Sequence, residues 1–584
     1  MITNIFVFLS HLEHLLLNIY LGGIVKKSKF IILYFVICVP LILFSATFPV
    51  GNVSELQAAL FSSSANGEDD IVTVSDGIYN VSSTITFWSD EEYSLLIIGE
   101  DSPVFNGGDL VRIMELMTES DNGDIFLEGL NIEHGRAEVG GGVYLETQGA
   151  EIRLADCKFN DNTADNVCGG ANLYSITGNV RVTNCIFRRN SSPNSTGYPL
   201  GTSGGLFVQT EGEGPEIRLT GCTFEDNTAE RDGAGAMLYP MGINSSVLAE
   251  HNIFNNNTAN EFGGGCWIRG PGGNTLVDYN DNTSSGNSAA DAGGGGATYI
   301  EIESGTINMS NNSFEDNSAE WQGGALWISN IGGTLNIENN TFTGNSSIQT
   351  GGAANIYLET GTANIDHNVF NENESSDAGG GICVSTATGN LNILNNTFYS
   401  NTAADAGDVY CYFDHSSASS SFTGNILYGS TFPALSYSGA HSVTATYSDI
   451  EGGTGETWFG VGCIDSDPLF NNSADSDFDL TSASPCIDAG NPTSPNDPDG
   501  TVNDMGAFYF NQTALSAPAN ISISYAAGNV IIYWDEVAEA TSYTVYADSD
   551  PNGSFETSVY NGASSNCTIP SSGNISFYRI TASD

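Results

Sequence analysis

The stretch FEDNSAEWQGGALWI, Phe314–Ile328, is answered by FTGNSSIQTGGAANI, Phe342–Ile356. Both read Phe, two variable residues, Asn, a small polar run, then Gly-Gly-Ala. The pair is one period of a longer array. Phe-x-x-Asn recurs at Phe159/Asn162, Phe187/Asn190, Phe224/Asn227, Phe254/Asn257, Phe314/Asn317, Phe342/Asn345, Phe370/Asn373 and Phe398/Asn401. Ser284/Asn287 fills the gap with its Phe lost, and Phe422/Asn425 reads as a shortened last copy. The spacing is 28 or 30 residues, stretched to 37 by an insertion around Ser191–Thr202 and cut to 24 at the end. Glycines follow about ten residues after each Phe, as at Gly169-Gly170, Gly263–Gly265, Gly323-Gly324 and Gly351-Gly352.

Self-similarity at such a period signals a stack of units, each unable to bury its apolar face alone. No apolar stripe of period 3.6 survives for three turns, which excludes helical repeats. What remains are short runs alternating with period two, such as Thr334-Leu-Asn-Ile337, bounded by turn residues. Two or three such strands per unit make an all-β parallel solenoid of about a dozen rungs, with equivalent residues stacked at roughly 4.8 Å. A repeated Phe then fills the interior as a column. A repeated Asn can bond to its copy above and below and satisfy backbone groups at a tight corner. The expected ladder is Asn162, Asn190, Asn227, Asn257, Asn287, Asn317, Asn345, Asn373 and Asn401. Two residues before each Phe, Cys157, Cys185 and Cys222 give way to Asn252, Asn312, Asn340, Asn368 and Asn396, which reads as a buried column of small residues.

The formal net charge is -55, from 69 acidic and 14 basic residues, and no Lys or Arg lies between Arg269 and Arg579. That balance excludes nucleic acid as a partner, since phosphate binding needs clustered cations. Near the amino terminus, Lys26, Lys27 and Lys29 precede an apolar run from Phe30 to Phe44, and Ser45-Ala46-Thr47 offers small residues for cleavage. Residues 1–46 therefore read as an export leader, with translation starting near Ile24 or Val25. The alternative is a retained membrane segment, and any membrane contact is expected through this leader only. Ten of the eleven cysteines lie beyond the leader and lack CxxC spacing, so sulfur–metal sites are not expected. Cys463 and Cys486 are candidates for a disulfide.

Phe-x-x-Asn with Gly-Gly-Ala-(Ile/Leu) resembles the repeat of chlamydial polymorphic membrane proteins. More broadly it resembles secreted right-handed parallel β-helix proteins of the pectate-lyase-like superfamily. The resemblance covers about residues 54–510. It implies a right-handed β-helix over 47–450 with an N-terminal cap, then an Asp-rich C-terminal cap over 451–514. After Leu515, Val530-Ile-Ile-Tyr-Trp534, Ser542-Tyr-Thr-Val-Tyr546 and Phe577-Tyr-Arg-Ile-Thr-Ala582 resemble a fibronectin type III sandwich, assigned to 515–584.

Three functions compete. The superfamily includes polysaccharide lyases and hydrolases, which implies a cationic base with carboxylates, acting on acidic glycans. The insertion beside Arg188 and Arg189, with Arg231, Glu230 and Asp165, is the candidate cleft. A binding protein is favoured instead by aromatics shortly after the glycines, at Tyr144, Tyr174, Phe207, Tyr239, Trp267, Tyr299, Trp327 and Tyr357, chiefly Tyr144, Phe207, Trp267, Tyr299 and Trp327. These suit stacking on sugars if they face outward. The third reading is an adhesin-like rod with no site at all. Calcium is the one cofactor the sequence puts forward, at Asp497, Asp499, Asn503 and Asp504, with a second acidic series at Glu261, Asp291, Asp377 and Asp405. The sequence favours an exported or cell-surface binding module, with an extracellular polysaccharide or a neighbouring cell-surface molecule as partner.

Overall fold

The computed structural model describes residues 46–584 apart from 195–201, 291–292, 432, 513–516, 538–539, 550–554, 556, 571–576 and 584. The leader up to Ser45 and most of the insertion lie outside the described residues. Two compact units are present. One runs to Val443 except for Leu394–Thr397 and Phe422–Tyr428; the other comprises those two segments and everything from Thr444.

Parallel strands build the first unit. One rung runs through Ile152–Ala155, Lys158–Asn160 and Thr163–Val167, turns at Gly169-Gly170, and continues through Ala171–Ser175 to the next rung. Stacked rungs give parallel sheets of 25, 14 and nine strands. The largest holds two faces of the helix, which merge where Thr298–Ser310, Leu326–Glu338 and Ala354–Asp366 run 13 residues around the bend. The fourteen-stranded sheet sets the number of turns slightly above the dozen read from the repeats. At the start, Asn52 caps a helix over Val53–Ser63 by accepting the Glu55 N–H, and that helix buries Leu56, Ala59 and Leu60.

The interior follows the repeat. Phe159, Phe187, Phe224 and Phe254 stack in near-parallel at 4.8–4.9 Å, and Phe314, Phe342, Phe370 and Phe398 resume at 4.6–4.9 Å. Between them the missing Phe at Ser284 is replaced from another strand. Tyr279 is fully buried, 6.5 Å from Phe254, and bonds Thr298. The sequence conceals this repair because Tyr279 occupies a position where its neighbours in register are Ala249 and Met309.

The Asn ladder is continuous and fully buried from Asn162 to Asn401. At each step the N–H and the Nδ2 of one Asn both donate to the Oδ1 of the next, as Asn287 does to Asn317 at 3.0 Å. The same Nδ2 donates to a backbone carbonyl, for Asn317 that of Ser284. Each amide thus closes a corner that no strand partner satisfies. The last rung differs from the sequence reading: Asn401 donates its N–H to Ser430 Oγ and its Nδ2 to the buried carboxylate of Asp408. Phe422/Asn425 is not a further copy. Asn425 continues a second buried ladder, accepting from Asn396 at 2.9 and 3.0 Å, and Phe422 lies on the strand Ser419–Thr423. That second ladder runs through Asn252, Asn282, Asn312 and Asn340, and the free, buried Cys157, Cys185 and Cys222 occupy its first places. Cys222 passes to it by donating its N–H to Asn252 Oδ1.

The paired glycines serve two purposes. Gly323 has φ +64°, a conformation that penalises a side chain. A Cβ on Gly324 would sit 2.1 Å from the Gly352 carbonyl of the following rung, so this position is closed by stacking rather than by φ.

In the second unit, an antiparallel pair, Phe470–Asn472 with Asp477–Leu480, packs Leu480 with Ile426, Cys486 and Met505. No disulfide forms: Cys463 and Cys486 are free, and the Cys486 thiol lies 3.2 Å from Asp449 Oδ2. Beyond residue 521 two three-stranded antiparallel sheets, ordered Ser522–Ala526, Asn529–Tyr533, Asn566–Pro570 and Thr557–Gly562, Ser542–Asp548, Phe577–Ser583, enclose Ile532, Trp534, Tyr543, Val545 and Ile580. The Val537 N–H donates to the Tyr543 hydroxyl at 2.8 Å. Among the described residues no helix is long and apolar enough to cross a membrane.

Removing one buried ladder amide strands donors on the rung before it. Asn317→Ala is expected to lower the unfolding free energy by about 2–4 kcal/mol. Asn336→Ala, in the half-buried outer row where Asn336 donates to Asn308, should cost under about 1 kcal/mol. Denaturant titration followed by circular dichroism compares the two.

Candidate functional site

Strand alternation decides which aromatics face out. On the face that follows the glycine corner, Leu145, Leu173, Val208, Leu238, Ile268, Ile300, Ile328, Ile356 and Val384 fill the lumen. Their neighbours point away from it. Strand register lines up Tyr144, Asn172, Phe207, Met237, Trp267, Tyr299, Trp327, Asn355 and Cys383 as one outward column. Facing outward does not leave them all exposed. Phe207, Trp267 and Tyr299 are 5%, 4% and 7% exposed, packed with Met237 beneath Val167, Cys168 and Phe262. Phe262 touches three rings, those of Trp267, Tyr299 and Trp327. These residues form a second apolar core outside the lumen, closed to a ligand. Tyr144 is half-buried, its hydroxyl donating to Glu146 Oε2 at 2.6 Å under the Arg112 guanidinium.

The covering residues come from the position just before the positive-φ residue of each corner. Bridges carry this position through Gln322, Thr350, Ala378 and Asp405. After Phe262 its side chains shrink and Gly294 presents none, its Cα instead lying against the Trp327 ring. The outer core therefore ends at Trp327 and an open groove of about 360 Å³ begins. Gln322 and Thr350 form one wall, Trp327, Asn355 and Cys383 the floor, and Ser329, Tyr357, Ser385 and Tyr412 the other wall. Asn355 Nδ2 donates to Thr350 Oγ1 at 2.6 Å, which fixes the amide. The lining contains no carboxylate, imidazole or cationic group. Burial pushes the Cys383 thiol up to about 12, so it stays neutral. Such a surface offers aromatic faces and fixed hydrogen-bonding groups, and no general acid–base pair.

Of the aromatics singled out in the sequence, Trp327 and Tyr357 line this groove. Tyr412, which also lines it, carries no distinguishing local motif and becomes visible only once the rung register is known.

Each basic candidate is engaged with a carboxylate. Arg188 pairs with Glu225 at 2.7 Å, and Arg189 with Asp161. Asp165 pairs with Arg136 at 2.9 Å. Arg231 pairs with Glu261 at 3.1 Å and approaches Asp232 at 3.7 Å. Glu230 donates its backbone N–H to the Ser192 carbonyl. Apart from the Arg231–Asp232 approach, these ion pairs link neighbouring rungs. The acidic series before the glycines is likewise interrupted: Glu261 belongs to Arg231, Asp405 is in register with Ala378 rather than Asp377, and Asp291 lies outside the described residues.

At the proposed calcium loop carboxylate oxygens of Asp497, Asp499 and Asp504 are turned to backbone N–H groups. Asp499 accepts N–H groups of Gln512 and Thr501, which hold its carboxyl below the usual range. Asp504 accepts from Asp488 and Phe510, and Asp497 accepts the Asp504 N–H; Asn503 Nδ2 donates to the Asp504 carbonyl. Among the described residues no three His, Cys, Asp or Glu side chains are placed to hold a metal.

No protein-family model matches the chain, and no curated protein matches it. Solved structures similar to it include a pectate lyase, Pel9A, at 14% identity and a TM-score of 0.24, covering 80% of this chain and 96% of that one. Another is the tailspike protein of the E. coli bacteriophage HK620 in complex with a pentasaccharide, at 11% identity and a TM-score of 0.24, covering 91% and 89%. Likeness at that level says nothing about what this chain binds.

One titratable group sits beside the outer core. Asp232 is fully buried, and its carboxyl is pushed up to about 7, chiefly by burial and against the pull of Arg231. Its proton is held more tightly folded than unfolded, so its contribution to stability is full below about pH 4 and is lost as pH rises through about 7. Asp232→Asn removes that dependence. The Tm difference between variant and parent should grow in favour of the variant between about pH 5 and about pH 8; a constant difference would refute the assignment.

Proposed function

We propose that this chain is a non-catalytic carbohydrate-binding protein whose ligand lies in the groove bounded by Gln322, Trp327, Asn355, Tyr357 and Tyr412. The observation that carries the proposal is the chemistry of the lining: three aromatic rings, two carboxamides and several hydroxyls around an open, uncharged trough. Sugars present apolar ring faces and a girdle of hydroxyls, which this combination matches. The enclosure by one sheet face and one corner column makes the trough part of a rigid scaffold, so little ordering is lost on binding.

The leader pattern Lys26–Phe44 supports export, and an exported chain would meet polysaccharides. The two three-stranded sheets around Trp534 and Tyr543 support a fibronectin type III-like accessory module.

The purified full-length chain on a panel of neutral and acidic glycans is expected to retain neutral ones without shortening them. Tyr357→Ala combined with Tyr412→Ala should weaken binding about 30- to 150-fold, at about 1–1.5 kcal/mol per ring, with an unchanged melting curve. Binding that survives the double variant would refute the groove. Release of shorter products from any glycan would refute the non-catalytic reading.

A further inference from the structure

The wall of the groove has a period of its own. Strand register aligns Ser329, Tyr357, Ser385, Tyr412 and Ser438 on five successive rungs, all on the outward side. Tyrosine thus recurs on every second rung with serine between. The same alternation runs earlier along the column, where Gln209 stands between Tyr174 and Tyr239. The repeat of the tyrosines is two strand spacings, roughly 9.6 Å.

We propose that the groove is built for a neutral β-1,4-linked glycan in its flat, two-fold form, lying across the strands with alternate sugars on Tyr357 and Tyr412; this rests on the glycan-binding reading above. In a β-1,4-linked chain each ring is turned over relative to the one before. The same ring face therefore returns at every second sugar, at close to the repeat of the tyrosines. The intervening sugar meets the Ser385 hydroxyl. An α-1,4-linked chain coils and a β-1,3-linked chain curves, so neither keeps a straight two-rung repeat over the groove.

Charge selects within that class. The Tyr412 phenol bonds Asp414, and burial followed by the charges of Glu359 and Asp414 raises the Tyr357 phenol. This carboxylate rim lies in the stretch from residue 270 to 578 that holds no Lys or Arg. A uronate or sulfated chain would enter an acidic field with no cation to meet it.

Calorimetry on the full-length chain tests linkage, spacing and charge separately. Cellohexaose and chitohexaose are expected to bind at least tenfold tighter than laminarihexaose, maltohexaose or hexagalacturonate. The decisive variant moves one ring by one rung: Ser385→Tyr with Tyr412→Ser keeps two tyrosines but makes them adjacent. It should lose about five- to tenfold for cellohexaose, as Tyr412→Ala does. Retained affinity in the shifted variant, or equal binding of laminarihexaose, would overturn the spacing argument while leaving carbohydrate binding intact. Preferred binding of hexagalacturonate would overturn the charge argument. Failure of every hexaose to bind would overturn this inference and the proposed function together.

Discussion

A chain that turns a tight corner on every rung leaves backbone donors and acceptors that no strand partner can reach. The rest of this structure depends on how that deficit is met. A buried amide contributed once per rung accepts from the rung before it and donates to the rung after it, so the repair of one corner is the support of the next. The Phe column fills volume and the strands supply direction, but neither satisfies the corner. This is why Phe can be lost at Ser284 and replaced by Tyr279 from another strand, whereas Asn287 remains.

Much of this was legible in the sequence because stacking converts a spatial column into a sequence period. Phe-x-x-Asn and the glycine pairs each mark a position that must be the same on every rung, and position after position they are. The reading failed where two columns share a residue type. Asn425 follows Phe422 at the right local spacing, yet it belongs to the ladder of Asn396, because the last rung places Leu427 and Ser430 where the repeat wants Phe and Asn. Local grammar cannot distinguish two Asn ladders; register can.

The candidate site was less legible for a related reason. Whether an aromatic faces out follows from its place in the strand, but whether it is exposed follows from what the corner column puts over it. Phe262 covers Trp267 and Tyr299; Gly294, Gln322 and Thr350 leave a trough beside Trp327 and Tyr357. Those covering residues carry no motif. The arginines stand out in the sequence by their scarcity, and in the structure Arg188, Arg189 and Arg231 each pair with a carboxylate of an adjacent rung.

The ladder also has a polarity. Every buried amide from Asn162 to Asn401 is oriented the same way, oxygen toward the earlier rung and nitrogen toward the later one. Aligned amides sum to an axial dipole with its positive pole at the late rungs, as peptide units do along an α-helix. At that pole the Asn401 nitrogen ends on the carboxylate of Asp408, which also accepts from Ser430. Asp408 therefore stands to the solenoid as an N-cap stands to a helix: a buried acceptor oxygen set at the positive pole of nine aligned side chains, eight of which it does not touch.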